Sequence, residues 1–345
     1  MFLKTVFLKT LWLFPLLILI FGAFLAWILL APRAVNTNSS PVTLPSQPQI
    51  KPSTILPTFY FIRGSFVIIG KQPDGDSVRF IADDTSLLNK LKNHNRIRLS
   101  KDNSVQLRFE AVDAPELHYL GQAQPLGDTS RDALVKMMGF DNLAFRSDGA
   151  TVTTSRPQTV RGAILSKAAE VNGRPISYVL LAKDAKGFAD GVQIKVSDVI
   201  LQKTLNTRQL ENGMAYLTVY SSTPKDHQNF LRQVAAKART AKLGVWARDS
   251  SAKFKLENKD SVNERGALIL PKLFRRCISY LNAKNKNPSL GSLSDWMRFT
   301  QDTGVSEDDL VKTNGQVARL SSLLSVVGSQ VKFGVDTLEI VFVEK

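Results

Sequence analysis

The stretch VQLRFEAVDAPE, residues 105–116, decides how the rest of the chain is read. Val105 to Val112 has the composition of a β-strand, Arg108 lies within it, and Pro115 stops it. The stop throws Asp113 and Glu116 into a loop at the strand's end, where two carboxylates can converge. Arg108 alone reads as a salt-bridged strand residue.

Working outward, Phe66 to Ile69 is a β-branched run, Pro73, Asp74 and Gly75 supply turn chemistry, and Ser77 to Ile81 resumes an extended pattern. Together these predict a hairpin. Its turn carries Asp74 and Asp76, and because strand side chains alternate, one of these aspartates can face the mouth of a barrel. An aspartate-glycine pair is by itself usually turn chemistry. Ile176 to Leu181 is a further strand. Helical periodicity follows from Leu205 to Leu210 and from Asp226 through Ala241, where Phe230, Leu231, Val234 and Ala238 share a face. Strands first and helices afterwards predict an α+β arrangement, a small barrel with helices packed on it.

The ends of the chain differ from this middle. From Leu11 to Ala31 no residue is charged, a length that spans a bilayer core of ~30 Å. Lys4, Lys9 and Arg33 flank the run, Trp12 and Trp27 lie towards its ends, and no small-x-small cleavage site follows. We therefore expect residues 1–32 to be a single transmembrane anchor with the bulk of the chain on the extracytoplasmic side. A signal sequence removed on secretion is the alternative. Residues 33–57, rich in Pro, Ser and Thr, read as a linker. The barrel domain is expected at 58–250 and a small α+β domain at 262–345. In the latter, Leu268 to Leu281 is apolar at helical spacing and Ser294 is placed to cap a helix containing Trp296, Met297 and Phe299. Ser306 with Asp309 resembles a capping box, and Val331 to Val335 and Leu338 to Phe342 alternate as strands around Asp336. This last block carries no chemical motif.

Cys277 is the single cysteine, so no internal disulfide forms. The three histidines are not spaced as zinc ligands. The formal charge is +15, and residues 58–250 hold 27 basic against 19 acidic side chains. Such a surface attracts polyanions, nucleic acid or anionic lipid, although a merely solvated face has the same composition. Cutting a phosphodiester calls for a hard cation, a base for the attacking water, and cationic donors facing the phosphate. The carboxylates at 74–76 and 113–116 and the arginine at 108 are candidates for these parts.

Taken together the segments resemble the thermonuclease (staphylococcal-nuclease-like) family. Asp74 to Val78 resembles its first signature, Leu107 and Arg108 with Val112 to Glu116 its second, and Asn172 to Val179 its third. Leu205, Asn206, Leu210, Gly213 and Ala215, then His227, Leu231, Ala238, Leu243 and Trp246, resemble its helical part. The resemblance covers about residues 64–249. It implies a five-stranded OB-fold barrel with packed helices, acting as a monomer on DNA and RNA and leaving 3′-phosphate ends. It further implies that calcium is held by Asp76, Asp113 and the Ala114 carbonyl. Glu116 would serve the attacking water, and Arg108 and Arg174 the phosphate. Arg161 rivals Arg174 for the second arginine. Asn172 and Pro175 depart from the family pattern, and Val219 and Ser221 stand where base-stacking tyrosines belong, with Tyr216 and Tyr220 out of register. The competing reading is a catalytically silent OB-fold module that binds nucleic acid or protein. In a third, the anchored protein is an envelope scaffold whose working part is the carboxy-terminal block.

Overall fold

The computed structural model describes residues 57–300 and 307–344. The expected anchor at 11–31 and nearly all of the linker lie outside this range. Among the described residues no helix is long and apolar enough to cross a membrane.

Strand β1 (Thr58–Val67) is the spine of the barrel; it is longer than the run from Phe66 suggested, and its apolar residues Phe59, Phe61, Ile62 and Phe66 are buried. It pairs with β2 (Arg79–Ala82) through the predicted turn. The stretch expected to be one strand at 105–112 is three short pieces: β3 (Val105–Gln106), β4 (Arg108–Phe109) and β5 (Val112–Asp113). Ala111, at φ 63°, breaks it in the left-handed region that non-glycine residues seldom enter. Helix α1 (Gly127–Met138) and a hairpin of β6 (Asp141–Phe145) with β7 (Val152–Arg156) then lead to β8 (Thr159–Ala169) and β9 (Pro175–Leu181). A short β10 (Gln193–Lys195) adds to β1.

The resulting sheet has seven strands, not the five expected, in the order β3-β2-β1-β8-β9-β4 with β10 on β1. The division of the 105–110 stave into β3 and β4 and the short addition of β10 account for the difference. Residues 105–110 act as the closing stave. Leu107 N donates to Val78 O (2.9 Å) and Phe109 N to Asp76 O (3.0 Å) on one side, while Glu110 N donates to Ser177 O (3.0 Å) on the other. This makes a nearly closed, barrel-like sheet with mixed α+β surroundings, consistent with an OB-fold.

Helices α2 (Asp198–Leu201), α3 (Leu205–Glu211) and α4 (Lys225–Thr240) follow, separated by β11 (Tyr216–Leu217) and β12 (Val219–Tyr220). On α4, His227, Leu231, Ala235 and Ala238 are buried, with Phe230 and Val234 half-buried beside them. The chemistry of α3 is concentrated in Asn206. Where β4 ends, the free edge of β9 would expose its polar groups inside the protein. The fully buried Asn206 covers it, accepting from Val179 N (2.9 Å) and donating to Glu110 O (2.9 Å) and Ser177 O (3.0 Å).

Beyond 250 the chain continues with β13 (Lys253–Lys255), α5 (Pro271–Lys286) and α6 (Leu293–Phe299). Then come β14 (Leu310–Thr313), β15 (Gln316–Arg319), β16 (Leu324–Val327), β17 (Gln330–Phe333) and β18 (Val341–Phe342). Pro271 opens α5 at its first turn, where a missing N–H costs nothing. Helix α6 is capped by Ser292 rather than Ser294, because Ser292 and Asp295 form the reciprocal capping box. The box drawn at Ser306 begins outside the described residues, and from Leu310 the chain is strand, so no helix follows Asp309. The alternation from Leu338 survives only at Val341–Phe342, since Thr337–Glu339 is a tight helical turn. The block is not detached: β18 pairs in parallel with β12 of the barrel region, and the described residues belong to one compact unit.

Asn206→Ala leaves Val179 N and Glu110 O without partners in a dry site. It is expected to lower the urea-unfolding free energy by about 2–4 kcal/mol, each orphaned group costing ~1–3 kcal/mol.

Candidate active site

A cavity of about 940 Å³ lies beside the closing stave, and Asp76, Arg108, Ala114, Glu116 and Arg174 all line it. Asp113 is fully buried and does not line the cavity itself. Each residue arrives for a local reason. Asp76 leaves the turn at Gly75, where a Cβ would stand 2.6 Å from that of Ala114 and closer still to Ser130 Oγ. Only glycine lets this turn sit against the 113–116 loop. Gln209 fixes it by donating to Gly75 O (2.6 Å). Arg108 comes from the stave, and Asp113 from β5, which pairs with Tyr216 on β11. Arg174 follows Gly173, whose φ of 79° and contact with the Arg96 carbonyl exclude a side chain. Arg161, the rival, lies on β8 and is engaged by Asp83 (2.6 and 2.5 Å), away from the cavity.

The carboxylates crowd one another. Burial and then the neighbouring Asp76 carboxylate hold Asp74 well above the usual range. Burial also raises Asp76, reinforced by Asp113 and opposed by Arg108 and Arg275. Glu116 is raised by burial, with Arg275 working in the other direction. Burial lowers the Arg108 guanidinium, but Tyr220, Asp113 and Asp76 outweigh it and the group stays firmly charged.

The arginines differ in what they have left to give. Arg174 spends Nε on Glu170 Oε1 (2.9 Å), and its terminal nitrogens donate to no described group. Arg108 donates no hydrogen bond among the described residues; it stands 4.0 Å from Asp113 and 5.9 Å from the Tyr220 ring centroid. Asp76 likewise accepts no side-chain hydrogen bond among the described residues. Two guanidinium groups and a carboxylate thus line one cavity, Arg174 with its Nε engaged and its terminal nitrogens unused among the described residues.

Several cavity residues carry no role in the sequence reading. Tyr220, out of register in the sequence, lies beside both Arg108 and Lys272, the latter 5.2 Å from its ring. Tyr119 donates to or accepts from Ser279 of α5 (2.9 Å). Arg275 of α5 bonds Asp113 through Nη2 (3.2 and 3.0 Å) and Glu116 through Nη1. Nothing near Arg275 in the sequence signals this, because a basic helix face is ordinarily solvated.

Among the described residues no group of three or more His, Cys, Asp or Glu side chains is placed to hold a metal ion. A cation here therefore rests on the smaller set of Asp76, Asp113 and the Ala114 carbonyl. Hard oxygen donors and an unbonded carboxylate suit calcium, which completes its shell with water. Gly75→Ala is expected to lose about 1–3 kcal/mol of stability in urea unfolding, because the added methyl forces the two acidic loops apart.

No curated protein matches the chain. Residues 106–248 match the family model described as staphylococcal nuclease homologue.

Proposed function

We propose that the protein is a calcium-dependent phosphodiesterase that cuts DNA and RNA and leaves 3′-phosphate ends. The observation that carries this reading is the pair of guanidinium groups, Arg108 and Arg174, with unused donors facing the same cavity as Asp76 and Glu116. A guanidinium presents a planar fork to two phosphate oxygens and keeps its charge at any working pH. Arg108 and Arg174 would hold the scissile phosphate from two sides and meet the charge that grows on its oxygens. Glu116, which lines the cavity and whose proton affinity is raised by burial, is the carboxylate offered to take a proton from the attacking water. Water oxygen bonds to phosphorus, its proton passes to Glu116, and the bond to the 5′ oxygen breaks, that oxygen leaving as a 5′-hydroxyl with a proton from solvent water. Calcium, held by Asp76, Asp113 and Ala114, would neutralise phosphate charge. Tyr220, adjacent to Arg108, offers an aromatic face for a base. The apolar run at 11–31 would tether the enzyme to a membrane with its active site outside the cytoplasm.

The full-length chain in mild detergent is expected to degrade DNA and RNA only with calcium, and a chelator is expected to stop it. Arg108→Ala or Arg174→Ala should each lower kcat about 100- to 1,000-fold, the range for loss of one preorganised donor. Glu116→Gln should cost a factor of about 100 to 10,000. Undiminished cutting by Arg108→Ala and Glu116→Gln would move the chemistry elsewhere. Salt-sensitive binding of nucleic acid without any cutting would instead support the silent barrel.

A further inference from the structure

Arg275 belongs to α5, outside the stretch that matches the nuclease family. Its guanidinium nevertheless bridges Asp113, one of the calcium ligands proposed above, and Glu116, the proposed base. The contact is built in. The face of α5 behind it buries Leu273, Phe274, Cys277 and Ile278 in the core, and Tyr119 bonds Ser279 one turn further on. Gln124, almost fully buried, accepts from Glu116 N (3.1 Å) and donates to Ile269 O (2.7 Å), tying the acidic loop to the segment that leads into α5. Burial lowers the Arg275 guanidinium, but Asp113 and Glu116 more than compensate, so it stays charged.

Asp113 is buried and borders no solvent of its own, so a cation reaching it must contend with the charge already there. We propose that Arg275 is an intramolecular counter-cation that sets the calcium affinity of this site: it neutralises Asp113 and Glu116 in the metal-free protein and must withdraw from Asp113 before calcium binds. The inference rests on the cation site of the preceding section and adds a residue that works against it. The apparent affinity of a site open only part of the time falls by the open fraction. An Arg275-withdrawn fraction below a tenth weakens calcium binding at least tenfold.

The test is calorimetric titration of the full-length chain with calcium chloride in chelator-treated buffer, for wild type, Arg275→Gln and Arg275→Lys. Arg275→Gln is expected to bind calcium at least about tenfold more tightly than wild type. Arg275→Lys, which keeps a charge but loses the fork across two carboxylates, should fall between them. A merely structural role for Arg275 predicts the opposite, weaker binding in a loosened site. Equal or weaker affinity in both variants overturns the proposal while leaving the cation site standing. If neither wild type nor variants bind calcium, the cation site and the proposal fall together. Should Arg275→Gln fail to fold, as judged by circular dichroism, Arg275→Lys decides: about threefold or tighter binding supports the role, and unchanged binding ends it.

Discussion

Two backbone hydrogen bonds, from Leu107 N to Val78 O and from Phe109 N to Asp76 O, hold the structure's functional half together. They dock the 105–110 stave onto the strand that follows the acidic turn, while Glu110 N docks its other side onto β9. The sheet thereby closes, and the same few residues bring Asp76, Arg108 and the 113–116 loop to one place. Closure and site assembly are a single event, because the stave that seals the barrel is also the strand that carries Arg108 to the cavity. Asn206 extends this control by satisfying the β9 edge beyond the reach of β4.

Closing the barrel there has an electrostatic consequence. Burial raises the proton affinity of Asp74, Asp76 and Glu116, and the charges of the neighbouring carboxylates, Asp113 among them, raise it further. Uncompensated, such a cluster opposes folding, since a buried charge is costly unless it is paired. The chain supplies the compensation from several distances in sequence. Arg108 lies within the stave, Arg174 projects from the turn before β9, and Arg275 arrives from α5. Among the described residues only Arg275 makes hydrogen-bonded ion pairs with these carboxylates, while Arg108 and Arg174 line the cavity. The division is chemically meaningful: one guanidinium neutralises the acids, and two remain for an anion from outside.

Local grammar made the acidic turn, the strand with Arg108, the stop at Pro115 and the strand after Arg174 readable from the sequence. Proline, glycine and alternation act over a few residues and leave a visible trace. Arg174 could be preferred over Arg161 only because an apolar strand follows it, and the structure gives the other physical reason, the engagement of Arg161 by Asp83. The break of the stave at Ala111 was illegible, because alanine gives no sign of a positive φ. The cap at Ser292 was misplaced by two residues, since two serines compete and the partner Asp295 selects between them. Arg275 lies 162 residues from Asp113, and no periodic pattern reaches that far.

The position of Arg275 also changes what the carboxy-terminal block is. Read as sequence, that block carries no chemical motif and reads equally as an interaction or substrate-docking module and as a stabilising appendage. In the fold its last strand continues a sheet begun by β12, so Tyr220 and the β12–β18 pairing tie it to the wall of the cavity. Its helix supplies Lys272 to the Tyr220 ring and Arg275 to the acids. A barrel that would otherwise present an open face is therefore walled on one side by residues from beyond 260. Removing the block would strip Arg275 from Asp113 and Glu116, so part of the charge compensation of these buried acids lies outside the stretch 106–248.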